Sequence, residues 1–252
     1  MPIAINTFPT DFDLANQLIP IIESYIYLAP EPILTQFSEQ YFIAITSILD
    51  YATDSLRDQL INTLNLITIA GTPQSWAPSL NSTGLFRDLV KKLIENKESA
   101  VFLSKFIIFF SRILLIDSEM FLQLIRMSAA SLNQSEEYVM ESLLDRWWDK
   151  WDNLSHNYDR KLSASGLACL VSLGHEIVLR RLPTEIANIF IDVLAEVKER
   201  KVDCNQMPHF DKQIEDTLPS HIVNDIGDDG TAEQTRKFSV SKTMYLKNDN
   251  NN

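Results

Sequence analysis

The residue types that most often carry catalysis or bind metals are scarce in this chain. It has four histidines and two cysteines: His156, His175, His209, His221, Cys169 and Cys204. No histidine pair has HExxH or HxH spacing and no CxxC pair occurs, although zinc sites are usually built from such closely spaced ligands. We therefore predict no catalytic residue, no metal and no cofactor. Two cysteines cannot form a disulfide framework, which fits a reducing compartment.

Two short motifs resemble functional sites in composition only. Residues 239–242 (SVSK) match Ser-x-x-Lys, but they lie in a polar segment without the companion motifs of that chemistry. Residues 225–230 (DIGDDG) lack the alternating ligand positions of an EF-hand calcium loop. The six glycines form no phosphate-binding loop. The sequence therefore favours a protein that is not an enzyme; the alternative is an all-α enzyme whose site is assembled from scattered acids.

The most unusual segment is 143–153 (LLDRWWDKWDN), which holds three of the four tryptophans. On a helix, Asp145, Asp149 and Asp152 fall at i, i+4 and i+7 on one side, close to Trp148. One interpretation is an acidic and aromatic docking face for a protein partner. The carboxylates would pair with Lys or Arg of that partner, and the indole would contact the aliphatic stem or the guanidinium.

A structural interpretation of the same segment is also open. Trp147 and Trp151 share the apolar side of the helix with leucines, which is typical of core residues. The acids then form a solvated face that is partly matched by Arg146 and Lys150. Both interpretations predict one helix for this segment, and they differ in what its acidic side does.

Composition and charge exclude several classes of partner. The chain has 252 residues, 45% of them hydrophobic, which is enough to bury a core. A net charge of -12 repels nucleic acid and favours basic protein partners. Residues 1–20 lack the pattern of a secretory signal. Residues 101–116 are interrupted by Lys105 and Arg112 and are shorter than the roughly 20 residues of a membrane span, so we predict a buried helix and no membrane insertion.

Apolar residues that recur every three to four positions predict helices along most of the first 202 residues, and strand signals are nearly absent. Thr10 or Asp11 is the predicted cap of the first helix, which is kinked at Pro20 and ends at Pro30. The later helices are predicted at about 32–49, 54–70, 85–96, 99–116, 118–132, 135–152, 158–173 and 184–200.

Turn and cap residues mark several boundaries between these helices. Residues 71–84 (GTPQSWAPSLNSTG) are predicted as a turn-rich break. Ser118, Ser135 and Thr184 are the predicted N-caps of three helices. Residues 203–252 lose the apolar periodicity and carry nine acids against five bases, so this tail is predicted to be acidic, polar and disordered.

The spacing of the helices favours a repeat architecture. Every second predicted helix start, at 11, 53, 98, 135 and 184, is separated from the next by about 37 to 49 residues, near the period of two-helix HEAT or armadillo repeats. We predict an all-α fold, a right-handed α-solenoid of HEAT-like antiparallel helix pairs over 1–202 with a disordered tail at 203–252. A helical bundle would give similar spacings. A solenoid has an apolar face at each uncapped end, and we expect one at the first helix.

Two adjoining segments resemble the C-terminal HEAT repeats of the importin-beta (karyopherin) superfamily, in particular the importin eleven-like fungal branch. They are 145–153 (DRWWDKWDN) and 158–171 (YDRKLSASGLACLV), where a helix that ends at Trp and Asp is followed by a basic-Lys-Leu opening. The matching positions of the second segment and its end are Arg160, Lys161, Leu162, Ala164, Leu167, Leu170 and Leu173. The resemblance extends over about 11–200.

This resemblance implies a segment of a nuclear transport receptor. Such a receptor binds cargo proteins and the Phe-Gly repeats of nucleoporins, is controlled by the small GTPase Ran, and moves between nucleus and cytoplasm through the nuclear envelope. The family's principal Ran-binding surface lies in N-terminal repeats that this chain does not contain, so no residue here is assigned to Ran. The candidate residues for binding a basic cargo protein are Asp145, Trp148, Asp149 and Asp152. The alternative is a HEAT-repeat scaffold of a cytoplasmic assembly without transport activity.

Overall fold

The computed structural model describes residues 1–204, and within that range the chain is helical without any β-strand. The α-helices of this range are α1 (Pro2–Thr7), α2 (Phe12–Leu28), α3 (Pro30–Ile48), α4 (Asp54–Ala70), α5 (Pro73–Ser82), α6 (Leu85–Glu95), α7 (Ala100–Ile116), α8 (Ser118–Ser131), α9 (Glu136–Asp149), α10 (Asn157–Ser172), α11 (Glu176–Arg181) and α12 (Ala187–Cys204). A 3-10 turn, Trp151–Asn153, follows α9, and a π-helical turn, Leu182–Ile186, follows α11. The all-α prediction is confirmed.

The helices form two layers. In the first layer α2, α4, α7, α10 and α12 pack one after another, each against the next. The second layer contains α3, α5, α6, α8, α9 and α11, and α1 packs on α2 and α3 at its beginning. Because the main contacts of each described helix are with near neighbours in the stack, the fold is an α-solenoid, as the sequence predicts.

Side-chain caps set several of the helix starts. Ser135 accepts a hydrogen bond from the backbone N–H of Tyr138 at 3.1 Å, which confirms it as the N-cap of α9. The prediction of Ser118 as a cap is wrong by one residue, since the Asp117 carboxylate accepts the bond from the N–H of Met120 at 2.9 Å. Thr184 is no cap either, because it lies inside the π-helical turn.

The predicted break at residues 71–84 is wrong, because most of it forms α5. Pro73 stands in the first turn, where its missing N–H costs nothing. Pro78 does interrupt the hydrogen bonds of the helix, but Trp76 and Leu80 are fully buried beside α3 and hold the segment helical. Tertiary packing here outweighs the turn propensity of the local sequence.

The predicted spacing of two-helix repeats fails at its fourth start, residue 135. The helix predicted at 135–152 was expected to open the next repeat, but α9 packs with α6 and α8 in the second layer, and α10 takes the place beside α7. The last repeat also differs from the prediction, because α11 and the π-helical turn precede α12. The short helix α1 at the other end of the stack is not predicted by the sequence. Periodicity shows that a helix has an apolar side, and it does not show which layer that side faces.

Helix α7 is buried on nearly all sides, as its apolar sequence predicts. It packs against α4 and α10 within its layer and against α6 and α8 in the other. Phe110 of α7 lies between Phe86 of α6 and Phe121 of α8, with ring centroids 5.1 and 6.1 Å away. Four phenylalanines of this helix are at most 6% exposed: Phe102, Phe106, Phe109 and Phe110. This aromatic cluster joins the two layers in the middle of the solenoid.

Two predictions concern membranes and the tail. Within the described range no single helix is long and apolar enough to span a membrane; one bent pair, Asn157–Ser172 with Glu176–Lys198, meets the test of length and composition. The predicted disordered tail lies outside the described residues, apart from the end of α12.

The contact between α7 and α10 is close because Gly166 has no side chain. A Cβ atom at Gly166 would lie 2.9 Å from the backbone Cα of Ser111 on α7, which is nearer than two carbon atoms can approach without movement. Glycine costs a helix interior about 1 kcal/mol relative to alanine. Its presence here is explained by the close approach of the two helices.

We expect Gly166→Ala to destabilise the protein by about 1–3 kcal/mol, because overpacking of the α7–α10 contact outweighs the gain in helix propensity. Urea denaturation followed by circular dichroism measures the change. The matched control is Ser165→Ala, one position along on the exposed side of α10, which should leave stability unchanged or slightly raised. A stabilising Gly166→Ala would contradict the close packing.

Candidate protein-binding site

The four candidate binding residues do not share one helix. Helix α9 ends at Asp149, and after Lys150, with φ -100° and ψ 1°, the chain enters the 3-10 turn that carries Asp152. The predicted i, i+4, i+7 alignment therefore holds for Asp145 and Asp149 and fails for Asp152. The turn places Trp151 in the interior, where it is 3% exposed. The sequence predicts the same burial for Trp151 on a continuous α-helix.

Two of the clustered tryptophans are core residues with satisfied indole groups. The Nε1–H of Trp147 donates to the hydroxyl of Ser163 on α10 at 2.7 Å, and both residues are buried. The Nε1–H of Trp151 donates to the carboxylate of Asp192 on α12 at 3.2 Å. The structural interpretation is therefore confirmed for Trp147 and Trp151, which tie the end of α9 to α10 and α12.

Arg160 completes this junction. Its guanidinium carbon lies 4.4 Å from the ring centroid of Trp151, a cation–π distance. The same guanidinium pairs with Glu196 at 2.7 Å and with Asp192 at 3.8 Å, both on α12. The Trp-Asp and Arg-Lys-Leu pattern that carries the family resemblance thus includes a structural joint between three helices.

Asp145 is paired within the protein. Its carboxylate lies 2.6 Å from the guanidinium of Arg181, which also contacts Glu141 of α9 and lies 3.0 Å from Glu185 in the π-helical turn. Burial by itself would lower the pKa of Arg181, but the hydrogen bonds to Asp145 and Glu141 outweigh it and raise that pKa. Arg180 adds a pair with Glu141 at 2.8 Å.

This arginine cluster was not found by sequence analysis. Arg181 and Glu185 have the i, i+4 spacing of a helical ion pair, which is the one local signal available. The contact of Arg181 with Asp145 joins residues on different helices, and no local pattern reports it. The cluster clamps α9 to α11 and removes one carboxylate from the predicted docking face.

Asp149 is also paired, but with its own neighbours. Its carboxylate lies 2.7 Å from the ammonium of Lys150 and 3.7 Å from the guanidinium of Arg146. The hydrogen bond from Lys150 is the main cause that holds the pKa of Asp149 below its usual value. About half of the Asp149 side chain remains exposed, so a partner can still reach it.

Trp148 and Asp152 are the open part of the site. Trp148 is 39% exposed, whereas the other tryptophans of the chain, Trp76, Trp147 and Trp151, are buried. Asp152 is exposed and forms no side-chain hydrogen bond or ion pair within the described residues. We use the name α9 face for the four candidate residues together, that is, Asp145, Trp148 and Asp149 of α9 and Asp152 of the 3-10 turn that follows it. Its two unengaged members are one indole and one carboxylate.

Metal-binding side chains do not gather in the described range. Residues 1–204 contain no group of three or more His, Cys, Asp or Glu side chains placed to share an ion, as far as their side chains are described. Burial raises the pKa of Cys169, which makes its thiol less nucleophilic at neutral pH.

A second exposed surface lies on α2. Four apolar side chains recur there at i, i+7, i+11 and i+14 and are 40 to 71% exposed: Leu14, Ile21, Tyr25 and Leu28. The buried residues of the helix, such as Ala15 and Ile22, lie on another side. This is the apolar face that the sequence predicts for the first helix of a solenoid.

The two-layer stack of helices in the described range defines an α-solenoid of the HEAT or TPR class. The family model described as "Importin-11-like, TPR repeats" matches residues 1–247. The chain therefore belongs to the importin-11-like family, and the resemblance found in the sequence is confirmed.

One curated relative shows how much of a family member the chain represents. Human Importin-11 is 26% identical over 211 residues, which cover 79% of this chain and 21% of the relative. The chain thus spans about a fifth of the length of this relative. No solved structure matches the chain.

The ion pair between Asp149 and Lys150 generates a prediction about pH. The pKa of Asp149 is lowered in the folded state, so the ionised carboxylate stabilises the folded protein at pH values above its ordinary pKa of about 3.9. This stabilisation is lost as the pH falls through the lowered pKa of Asp149. In Lys150→Met the pKa of Asp149 should rise. Carboxyl chemical shifts measured by NMR across pH 2 to 6 test this. The exposed control Lys97→Met should leave the titration of Asp149 unchanged.

Proposed function

We propose that this chain is a protein-binding segment of a nuclear transport receptor and that it holds basic cargo segments on the α9 face. Membership in the importin-11-like family supports the transport role. The net charge of -12 supports basic partners. Binding of proteins, rather than catalysis, is the activity of the chain.

The geometry of the α9 face supports unequal roles for its residues. A basic side chain that approaches Asp145 competes with Arg181, and one that approaches Asp149 competes with Lys150. Asp152 carries no such competitor in the described range, and the open indole of Trp148 offers a surface for a guanidinium or an aliphatic stem. Trp148 and Asp152 therefore supply most of the binding energy, and Asp145 and Asp149 contribute to the field that attracts the partner.

Transport through the nuclear pore adds further partners to the proposal. The chain binds the Phe-Gly repeats of nucleoporins and moves between nucleus and cytoplasm by way of the nuclear envelope. Family membership is the support for this part. Ran is proposed as the regulator of the complete receptor, and none of the residues of this chain is assigned to its binding.

The α9 face is tested with a basic peptide. Because Trp148 is the exposed tryptophan, addition of an octalysine peptide should change the fluorescence of the wild-type protein, and raised salt should reverse the change. Asp152→Lys should weaken binding about tenfold, a loss of roughly 1.4 kcal/mol, and Trp148→Phe should remove most of the signal.

The control for Asp152→Lys is Glu39→Lys on α3, an exposed acid whose reversal changes the net charge equally. It should leave peptide binding within twofold of the wild type. Equal weakening by both reversals would show that only the overall charge attracts the peptide and that the α9 face is not a site.

The pore-binding part is tested with an immobilised Phe-Gly repeat peptide. A helical, monodisperse sample should bind it and should not bind a control peptide in which Ser replaces Phe. Selective binding supports a segment that is competent for the pore. No binding by a well-folded sample would contradict this part and favour the alternative, a HEAT-repeat scaffold of a cytoplasmic assembly.

A further inference from the structure

The exposed apolar side chains of α2 have the spacing of a contact between two helices. From Leu14 the row continues in steps of four, three, four and three residues, which is the alternation of the a and d positions of a coiled coil. Leu18 is half-buried, and the other members of the row are 40 to 71% exposed. We call this row the α2 seam, and its members are Leu14, Leu18, Ile21, Tyr25 and Leu28.

The α2 seam lies beside the buried side of α2. The buried row is offset from the seam by one residue, about 100° around the helix, and it packs toward α3 and α4; its members are Ala15, Ile19, Ile22 and Ile26. The first-layer helices α4, α7 and α10 each pack between two helices of their own layer. Helix α2 has the two apolar rows of such an inner helix, but within residues 1–204 its first-layer neighbour is α4 alone.

A heptad seam fits a second seam of the same kind. When apolar residues repeat every 3.5 positions, the side chains of one helix enter the spaces between those of another helix with the same repeat. Two heptads are too short to pair as free peptides, but α2 is already folded against α1, α3 and α4. Pairing of two such helices therefore requires no further folding.

The charges around the seam favour a second copy of this chain as the occupant. In a two-fold contact every charged residue faces a like charge near the axis, so an acidic surface repels itself. The chain carries a net charge of -12, yet the residues that flank the seam in the heptad are uncharged: Ala15, Gln17, Ile22 and Ser24. The seam is thus compatible with its own copy, and it offers no charged group to an acidic or a basic partner.

The apolar area suits a reversible dimer. Four side chains of this size and exposure present roughly 400 Å² on one copy. Pairing of two seams buries about 800 Å² from these side chains, and the flanking residues bring the total near the 1,000 Å² or so at which specific interfaces begin. We therefore expect a dissociation constant on the order of 10 µM.

We propose that two copies of the chain associate through the α2 seam about a two-fold axis at Ile21. Ile21 is the middle member of the seam, so full overlap of two seams sets it against Ile21 of the second copy, whether the helices run parallel or antiparallel. Each α2 then occupies the missing first-layer position beside the other. This contact is independent of cargo binding and of pore binding, because it does not involve the α9 face.

Sedimentation velocity of the full chain tests the association. Between about 1 and 100 µM the wild-type protein should change from monomer to dimer. Ile21→Glu and Ile21→Lys should each weaken dimerisation at least tenfold, because each sets two like charges against each other at the axis. An equimolar mixture of the two variants should regain the dimer, since a carboxylate then faces an ammonium. A fold defect in either variant would prevent this recovery.

The matched control is Ile43→Glu, which adds the same charge at an exposed apolar residue of α3. Its dimerisation should stay within twofold of the wild type. A wild-type protein that remains monomeric at about 100 µM would overturn the proposal. Equal weakening by Ile43→Glu, or a mixture of the two Ile21 variants that stays monomeric, would overturn it as well, because the association would then not depend on a contact of Ile21 with its own copy.

Discussion

The structure depends on the burial of α7, which contacts helices of both layers along most of its length. Its apolar residues leave it no solvated side, so neighbours must cover it from α4, α6, α8 and α10. The approach of α10 is possible because Gly166 lies directly against the backbone of Ser111. Since α10 is fixed there, the joint made by Trp151 and Arg160 fixes α12 and the end of α9 in turn.

This dependence explains why the most conspicuous motif of the chain has a buried side and an exposed side. Trp147 and Trp151 point into the joint with α10 and α12, where their indole N–H groups are satisfied. Because those positions are fixed, Trp148 and Asp152 are left on the outside. The acidic side chains are likewise divided: Asp145 pairs with Arg181 and Asp149 pairs with Lys150, whereas Asp152 has no such pair within residues 1–204.

Charge clamps and exposed apolar ends are both consequences of a solenoid built from short-range contacts. Each helix pair is stabilised by the next, so the ion pairs of Arg181 join neighbouring elements and nothing more distant. Exposed apolar side chains lie at both ends of the first layer as far as it is described, on α2 and on α12.

The sequence by itself determined most of the helices, the N-cap of α9 and the family. Apolar periodicity and the cap Ser135 are local properties, and the Trp-Asp and Arg-Lys-Leu pattern was specific enough to indicate the importin-11-like family. Only the tertiary structure decided that most of residues 71–84 are helical, that α9 lies in the second layer and that Arg181 forms an ion pair with Asp145. Each of these depends on contacts between residues distant in sequence, because burial of Trp76 or pairing across helices has no signature in local composition.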